Sequence, residues 1–344
     1  MSGPPADELR PSYRALWGAI AAAAGLVATL AVLLSASGRV APVAAARPLR
    51  AGAAAATARP AAAAARVDAS PTQPPSRFTS AALRRRQEVF AQVVGDGDFT
   101  RLGEPRDGDW LSAFDEPGQT LDDYGRELVN RRTPARSRIH LQPFTDLSPA
   151  QRALLGAIRD HTAAYFDVDV ALLPARPPSP IWRDQRRGQL DADLAVAALS
   201  RQVPEDSLGL LGIAGSDLYG LRLSFIFGVG LLRHRAGLYS LHRYTSAEPA
   251  LMLRRSLKVA SHELGHMLGL KHCVFYRCLM NGSNSVDELD GQPLHLCPVC
   301  LGKLHWNLRF DPSSRQRRLA AVYQRLGLRP EAAFAARQAA AQRP

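Results

Sequence analysis

The spacing of apolar and polar residues changes several times along the chain and predicts alternating strands and helices. Short apolar runs interrupted by glycine are typical of strands, whereas apolar residues at every third or fourth position are typical of amphipathic helices. The predicted strands cover residues 138–141, 168–173, 207–214, 224–232 and 237–242. The predicted helices cover residues 80–94, 148–166, 190–203, 249–268, 313–326 and 330–342. This order predicts an α/β (α+β) domain over residues 136–310, entered by a helical lead-in at 77–135 and followed by basic helices at 311–344.

Ahead of this domain, residues 15–34 form an uninterrupted run of twenty residues without charge. At about 1.5 Å per residue, a helix of this length matches the roughly 30 Å hydrocarbon core of a bilayer. The run predicts a transmembrane helix or signal anchor behind a short N-terminal segment, 1–14, and therefore a single-pass membrane protein. One alternative is a signal peptide cleaved at residues 35–37, with a secreted or periplasmic product, and another is a buried core helix. Arginines flank the run on both sides, so the side of the membrane stays open.

Residues 35–76 consist almost entirely of alanine, proline and arginine. Such a composition offers few large apolar side chains to bury, and its prolines interrupt any helix that the alanine runs begin. We therefore expect a disordered linker between the membrane segment and the folded part.

Composition and charge narrow the class of protein further. Hydrophobic residues make up 46% of the 344 residues, which excludes a wholly disordered chain, and four cysteines are too few for a disulfide-built scaffold. The formal net charge of +12 raises nucleic acid or an anionic membrane as partners. However, residues 1–90 carry +7 and residues 309–344 carry +6, so the stretch between them sums to −1. No specific nucleic-acid partner is expected for that stretch.

The residues that carry chemistry are concentrated after residue 260. His262, Glu263, His266, Gly269 and His272 follow a fixed spacing. On a helix the first two histidines project from one face a turn apart, and a glycine lets the helix end in a left-handed turn that returns the third histidine to the same metal. Three neutral imidazoles leave the fourth position of zinc to water, as in a catalytic site. Glu263 would then be the general base that takes the proton of that water.

Two alternatives remain for this histidine site. One is a site that holds zinc for stability only, or that has lost its activity, although neither role needs Glu263. The ligands also admit iron or cobalt, but imidazoles beside a hydrolytic glutamate fit zinc best.

A second cluster comprises every cysteine in the chain. Cys273 and Cys278 form one pair, Cys297 and Cys300 form the other, and eighteen residues separate the pairs. This spacing is typical of a tetrahedral four-thiolate zinc site, and two disulfides are the alternative. Because Cys273 directly follows His272, the cysteine site would clamp the segment that carries the third histidine.

Together these residues resemble the archaemetzincin family of metzincin zinc metallopeptidases. The resemblance rests on His-Glu-x-x-His-x-x-Gly-x-x-His from His262, on the two cysteine pairs that follow, and on Met280, placed like the methionine turn of metzincins. Upstream, Ser-Asp-Leu-Tyr at 216–219 and Phe-Ile-Phe-Gly at 225–228 are similar to stretches of the family. The resemblance covers roughly residues 136–310.

The resemblance implies a metzincin-like zincin fold, with a twisted mixed sheet, an active-site helix and a small C-terminal zinc-bearing subdomain. It also implies two zinc ions, one catalytic on the three histidines with Glu263 as base and one structural on the four cysteines. The strand nearest the site, for which residues 238–244 are the candidate, is expected to lie across the cleft and pair with an extended peptide.

The function expected from these features is that of a membrane-tethered zinc metallopeptidase, a monomer that hydrolyses peptide or protein substrates. Position 282 is glycine, so a tyrosine switch of the astacin kind, two residues after Met280, is not available. The membrane segment and linker are unusual for a family of soluble intracellular proteins and leave compartment and substrate open. The alternative function is a zinc-stabilised protein- or nucleic-acid-binding module without catalytic activity, to which the cysteine cluster and the basic ends would belong.

Overall fold

The computed structural model describes residues 77–92, 97–220, 223–232, 234–244 and 248–341. In chain order the strands are β1 Arg138–Pro143, β2 Asp169–Leu172, β3 Arg183–Asp184, β4 Gln189–Asp191, β5 Ser207–Ala214, β6 Leu218–Gly220, β7 Leu223–Ile226, β8 Gly228–Gly230 and β9 Ala236–Ser240. The α-helices are α1 Ser80–Gln92, α2 Trp110–Ala113, α3 Leu121–Arg126, α4 Pro149–Ala153, α5 Leu155–Phe166, α6 Ala192–Ser200, α7 Pro249–Met267, α8 Val286–Gly291, α9 Pro298–Leu308, α10 Pro312–Arg325 and α11 Arg329–Ala341.

The larger of two sheets has five strands in the order β2, β1, β5, β9, β8. The first four are parallel, and the edge strand β8 runs antiparallel to β9. All eight residues of β5 are buried, because helices cover both faces of the sheet. Gly209 of β5 faces Met267 of α7, whereas Gly212 faces Leu199 of α6 from the other side. The architecture is mixed α/β, as the sequence predicts.

The smaller sheet has the order β3, β4, β6, β7, with β4 and β6 parallel and the outer pairs antiparallel. After β7 the chain passes Phe227 and enters the larger sheet as β8. The prediction of one strand over 224–232 is therefore wrong, because β7 pairs back onto β6 while β8 pairs with β9.

The cleft strand expected at 238–244 is also placed differently. Residues 238–240 belong to β9, which lies between β5 and β8 and has no free edge, and His242–Tyr244 form a 3-10 turn. The edge strand next to β9 is β8, a short run of glycine and valine that pairs antiparallel with β9. On this side of the sheet, an extended partner would pair with β8.

Strands β3, β4 and β6 were not predicted, and several helix boundaries also differ. Strand β5 and helix α7 begin and end within one residue of their predicted bounds. The helix predicted from residue 190 begins at Ala192, because the Asp191 side chain accepts a hydrogen bond from Leu194 N at 3.0 Å and caps the helix there. The helix predicted over 148–166 is divided at Leu154, whose N–H bonds to Gln151 O, three residues back, at 3.1 Å. Helices α8 and α9 lie in the cysteine-bearing segment, for which the sequence pattern predicts no helix.

The N-terminal predictions lie outside the described residues. This holds for the membrane segment at 15–34 and for the linker at 35–76. In the part of the chain that the structure describes, no helix is both long and apolar enough to cross a membrane.

Candidate active site and metal centres

Helix α7 and the turn after it bring the three predicted histidines together. His262 and His266 lie one turn apart near the end of α7, and the helix stops before Gly269, whose φ of +92° is a left-handed value. A side chain at position 269 would also overlap Val129. The turn returns His272 to the helix, so that one ring nitrogen of each histidine lies within 4.8 Å of the others.

Hydrogen bonds to the outer ring nitrogens fix how the three imidazoles point. The Nδ1 atom of His262 lies 2.9 Å from Leu279 O, and that of His266 lies 2.7 Å from Leu270 O. The Nδ1 atom of His272 lies 2.8 Å from the carboxylate oxygen Oε1 of Glu116. Each of these oxygens only accepts, so each Nδ1 carries the proton and donates.

Each Nε2 therefore keeps its lone pair for a metal. This is the tautomer and the outer-shell pattern that metal-binding histidines require, and three converging imidazoles fit zinc.

Glu263 lies beside this triad but does not belong to the group of candidate ligands. Its side chain is 5% exposed and packs against strand β8: a β-carbon at Gly228 would come within 2.7 Å of Glu263 Oε1. The backbone N–H of Gly230 faces the carboxylate and lowers its pKa. Glu263 is thus held between helix α7 and the edge strand β8.

Burial sets the protonation of the site before any metal binds. It raises the pKa of Glu263 to about 8, against the effect of the Gly230 N–H, which lowers the pKa. It lowers the pKa of His262 to about 3 and the pKa of His266 well below its usual value, with the neighbouring histidines adding to the shift. Both imidazoles are neutral at physiological pH, which is the form that binds metal.

The four predicted cysteines also converge, and all of them are buried free thiols. Their sulfur atoms lie within 4.8 Å of one another, and the Sγ atoms of Cys273 and Cys297 are 3.6 Å apart. A disulfide needs about 2.05 Å, so these two sulfurs are not bonded to each other. The backbone N–H groups of Met280 and Cys297 point at Cys278 Sγ, at 3.5 and 3.2 Å. Amides directed at a sulfur suit a thiolate that binds metal.

Met280, for which the sequence predicts a methionine turn, packs against helix α7 next to His266. It is fully buried, and its sulfur would be 2.6 Å from a β-carbon at Gly265, the residue of α7 just before His266. Its backbone oxygen accepts a hydrogen bond from Cys273 N at 2.7 Å. Met280 therefore contacts the active-site helix through its side chain and the cysteine segment through its backbone.

Two residues near the site were not found from the sequence. Glu116 and Trp110 belong to the lead-in, more than 150 residues before His272 along the chain. Neither residue lies in a motif, and Glu116 falls in a segment without regular structure. Only the folded arrangement brings them to the metal site.

The chain is similar in sequence to one family of known proteins. The model of Peptidase family M54 matches residues 195–306. Archaemetzincin-1 from Homo sapiens is 34% identical over 262 residues, covering 63% of this chain and 51% of that protein. Archaemetzincin-2 from Mus musculus is 33% identical over 254 residues, covering 61% of this chain and 71% of that protein. The solved archaemetzincin of Methanopyrus kandleri is 28% identical, with 52% of this chain and 99% of that chain covered and a TM-score of 0.47.

The match to a peptidase family defines the class as zinc metallopeptidases, which are hydrolases. The chain spans about half the length of human archaemetzincin-1 but 71% of murine archaemetzincin-2. On the similarity to the latter, the chain belongs to the archaemetzincin family. The resemblance drawn from the motifs is confirmed.

Proposed function

We propose that the protein is a zinc metallopeptidase that hydrolyses peptide bonds with Glu263 as general base. The observation that carries the proposal is the convergence of His262, His266 and His272 with all three Nε2 atoms free, beside a buried glutamate that is not part of the ligand group. A purely structural zinc site would not need that glutamate.

Each part of the site has a distinct role in peptide hydrolysis. Zinc bound by the three histidines would supply a Lewis acid that brings the pKa of a bound water to about 7. The Glu263 carboxylate, whose pKa a bound cation would lower from the value of about 8 set by burial, accepts the proton of the attacking water and returns it to the leaving amine. The Gly230 N–H faces the carboxylate and favours its charged form. The open side of β8 offers backbone groups to an extended peptide, which is the way an edge strand binds a partner.

We further propose two zinc ions per chain, the second held by Cys273, Cys278, Cys297 and Cys300. Burial raises the pKa values of Cys278 and Cys297 well above that of a free thiol, so four thiolates need a cation among them. The second ion is structural, because the four thiolates fill a tetrahedral site and leave no position for substrate. Met280, packed against α7 next to His266, supports the metzincin arrangement.

The decisive experiment replaces Glu263 with glutamine. We expect Glu263→Gln to retain two zinc ions per chain and to lose at least about 100-fold in hydrolysis of a peptide library, the usual cost of removing a general base. Glu331→Gln is the matched control, because Glu331 pairs with Arg254 near the other end of α7 at 2.5 Å. That control should keep its activity. Hydrolysis at the normal rate by Glu263→Gln would overturn the assignment of the base.

A separate proposal concerns attachment to a membrane through residues 15–34. It rests on the twenty uncharged residues alone. Leu26→Arg combined with Leu30→Lys should move the full chain out of the carbonate-washed membrane fraction, because each charge costs about 3 kcal/mol at the centre of a spanning helix. A doubly charged chain that stays in the membranes would contradict the anchor.

A further inference from the structure

The turn that carries His272 is held by residues that lie far upstream and outside the match to the peptidase family. Tyr124 donates its hydroxyl hydrogen to Leu268 O at 2.7 Å, and Gln119 Nε2 donates to Gly269 O at 3.2 Å. The backbone N–H of Lys271 donates to Gln119 Oε1 at 3.2 Å. The lead-in therefore forms hydrogen bonds with three residues of the turn, the last of them directly before the third histidine.

At the histidine itself, two lead-in side chains form a chain of contacts. Glu116 Oε1 accepts from His272 Nδ1 at 2.8 Å and from Trp110 Nε1 at 3.0 Å. The indole of Trp110 meets the His272 ring edge to face, with centroids 5.0 Å apart and planes at 80°. The ring of His272 is thus fixed both along its hydrogen bond and across its face.

Trp110 is in turn fixed from the opposite side. Its backbone N–H lies 2.9 Å from Glu288 Oε1, and its ring stacks on Phe114 at 4.1 Å. The indole fills the space that a side chain at Gly282 would need. The glycine two residues after Met280 is therefore the position that admits Trp110 to the site.

The charge of Glu116 points to the same role. Its side chain is only 12% exposed, and Oε2 is buried without a hydrogen-bond partner among the described residues. No arginine or lysine among the described residues forms an ion pair with it. A buried carboxylate in this state needs a positive partner, and an imidazole whose other nitrogen binds a cation supplies one.

We infer that Glu116 is a positioning residue for the zinc ligand His272, with Trp110 as its support, so that the lead-in completes the metal site. The inference rests on the proposed function only in taking the histidines as zinc ligands. A carboxylate that accepts from the outer nitrogen of a ligating histidine holds its orientation and raises its basicity, and its loss typically costs 10- to 100-fold in metal affinity.

The test compares three substitutions in the full chain by measuring the zinc dissociation constant of the histidine site with a competing chelator. Glu116→Met keeps the volume but has no acceptor for His272, whereas Glu116→Gln keeps an acceptor and loses the charge. Glu127→Gln is the control: Glu127 binds Lys271 Nζ on the same turn at 2.8 Å and Gln119 Nε2 at 3.2 Å, and it forms no hydrogen bond with a histidine among the described residues.

We expect zinc affinity to fall by about 10- to 100-fold in Glu116→Met, by less in Glu116→Gln, and not at all in Glu127→Gln. The cysteine site should keep its zinc in all three. Long-range ¹H–¹⁵N spectra of the metal-free chain should show neutral His272 protonated on Nδ1 in the wild type and should lose that single tautomer in Glu116→Met.

An unchanged dissociation constant in a folded Glu116→Met variant would overturn the inference, as would an equal loss in Glu127→Gln, which would indicate a general loosening of the turn. Because the measurement is zinc binding, it stands apart from the peptidase proposal. That proposal fails if Glu263→Gln hydrolyses normally, whatever the zinc affinity of the Glu116 variants.

Discussion

Replacing Gly230 with alanine tests how closely the edge strand must approach the active-site helix. A β-carbon at position 230 would lie 3.0 Å from both the carbonyl carbon of Glu263 and the β-carbon of His266, and closer still to the Glu263 carbonyl oxygen. Ordinary carbon contacts are about 3.5 to 4.0 Å. Strand β8 would have to move away from α7 by about 1 Å to relieve the contact with that carbonyl oxygen.

The size of the effect follows from what can yield. An extra methyl group in a packed interior typically costs about 1 to 3 kcal/mol, and here the neighbour is helix backbone, so the upper end applies. Alanine in place of glycine returns about 0.5 to 1 kcal/mol by restricting the unfolded chain. We expect Gly230→Ala to lower the free energy of unfolding by about 2 kcal/mol. Hydrolysis should fall more steeply than zinc content, because the Gly230 N–H moves away from Glu263.

Urea unfolding of the zinc-loaded chain measures the stability change, and peptide hydrolysis with metal analysis measures the effect on the site. Gly156→Ala is the matched control: Gly156 lies in helix α5, and its β-carbon would have no neighbour within 4 Å. That control should be stabilised by up to about 1 kcal/mol. If Gly230→Ala were as stable as wild type, the close packing of β8 against Glu263 would be refuted.

Three further predictions address other parts of the fold. Burial, and then nearby Arg315, lowers the pKa of His161 to about 3, so the unfolded chain binds the proton first. The free energy of unfolding, measured by urea titration, should therefore fall as pH drops from about 6.5 towards 3. It should fall less in His161→Gln, and an equal pH dependence in wild type and variant would contradict this. Tyr124→Phe removes a buried hydroxyl that also accepts from Asn307 Nδ2 at 2.7 Å, and should cost about 1 to 3 kcal/mol in denaturant unfolding; a cost near zero would refute the bond. Cys297→Ser should reduce zinc from two ions per chain to one and lower the melting temperature, and unchanged metal content would argue against the four-thiolate site.

The elements that the sequence predicted well are those whose signals are local. Strand β5 is apolar almost throughout because it is buried on both faces. Helix α7 begins at a proline and stops just before Gly269, so the bounds of both elements could be predicted from the sequence. The histidine and cysteine clusters were also predicted, because their spacing reflects a single turn of helix and one returning loop.

The sequence did not predict contacts between residues that lie far apart along the chain. The sequence pattern predicts β8 as a continuation of β7. Nothing in residues 223–230 indicates that β7 pairs with β6 while β8 pairs with β9. Glu116 and Trp110 are single polar and aromatic residues in a segment without periodicity, and only tertiary contacts give them a role. The sequence thus predicted the histidine and cysteine clusters but not the residues that hold His272 in place, Glu116 and Trp110.

The histidine and cysteine clusters lie on one continuous stretch of backbone, and this has a physical consequence for how the histidine cluster is stabilised. His272 and Cys273 are adjacent, so a displacement of the cysteine segment displaces the third histidine. Asn281 ties the segment together: its Nδ2 donates to Cys273 O at 2.6 Å, and its Oδ1 accepts from Cys278 N at 2.7 Å. On the other side, Glu116 holds the His272 ring from the lead-in. His272 lies on a turn rather than a helix, so its position depends on these two flanks, whereas His262 and His266 inherit theirs from α7.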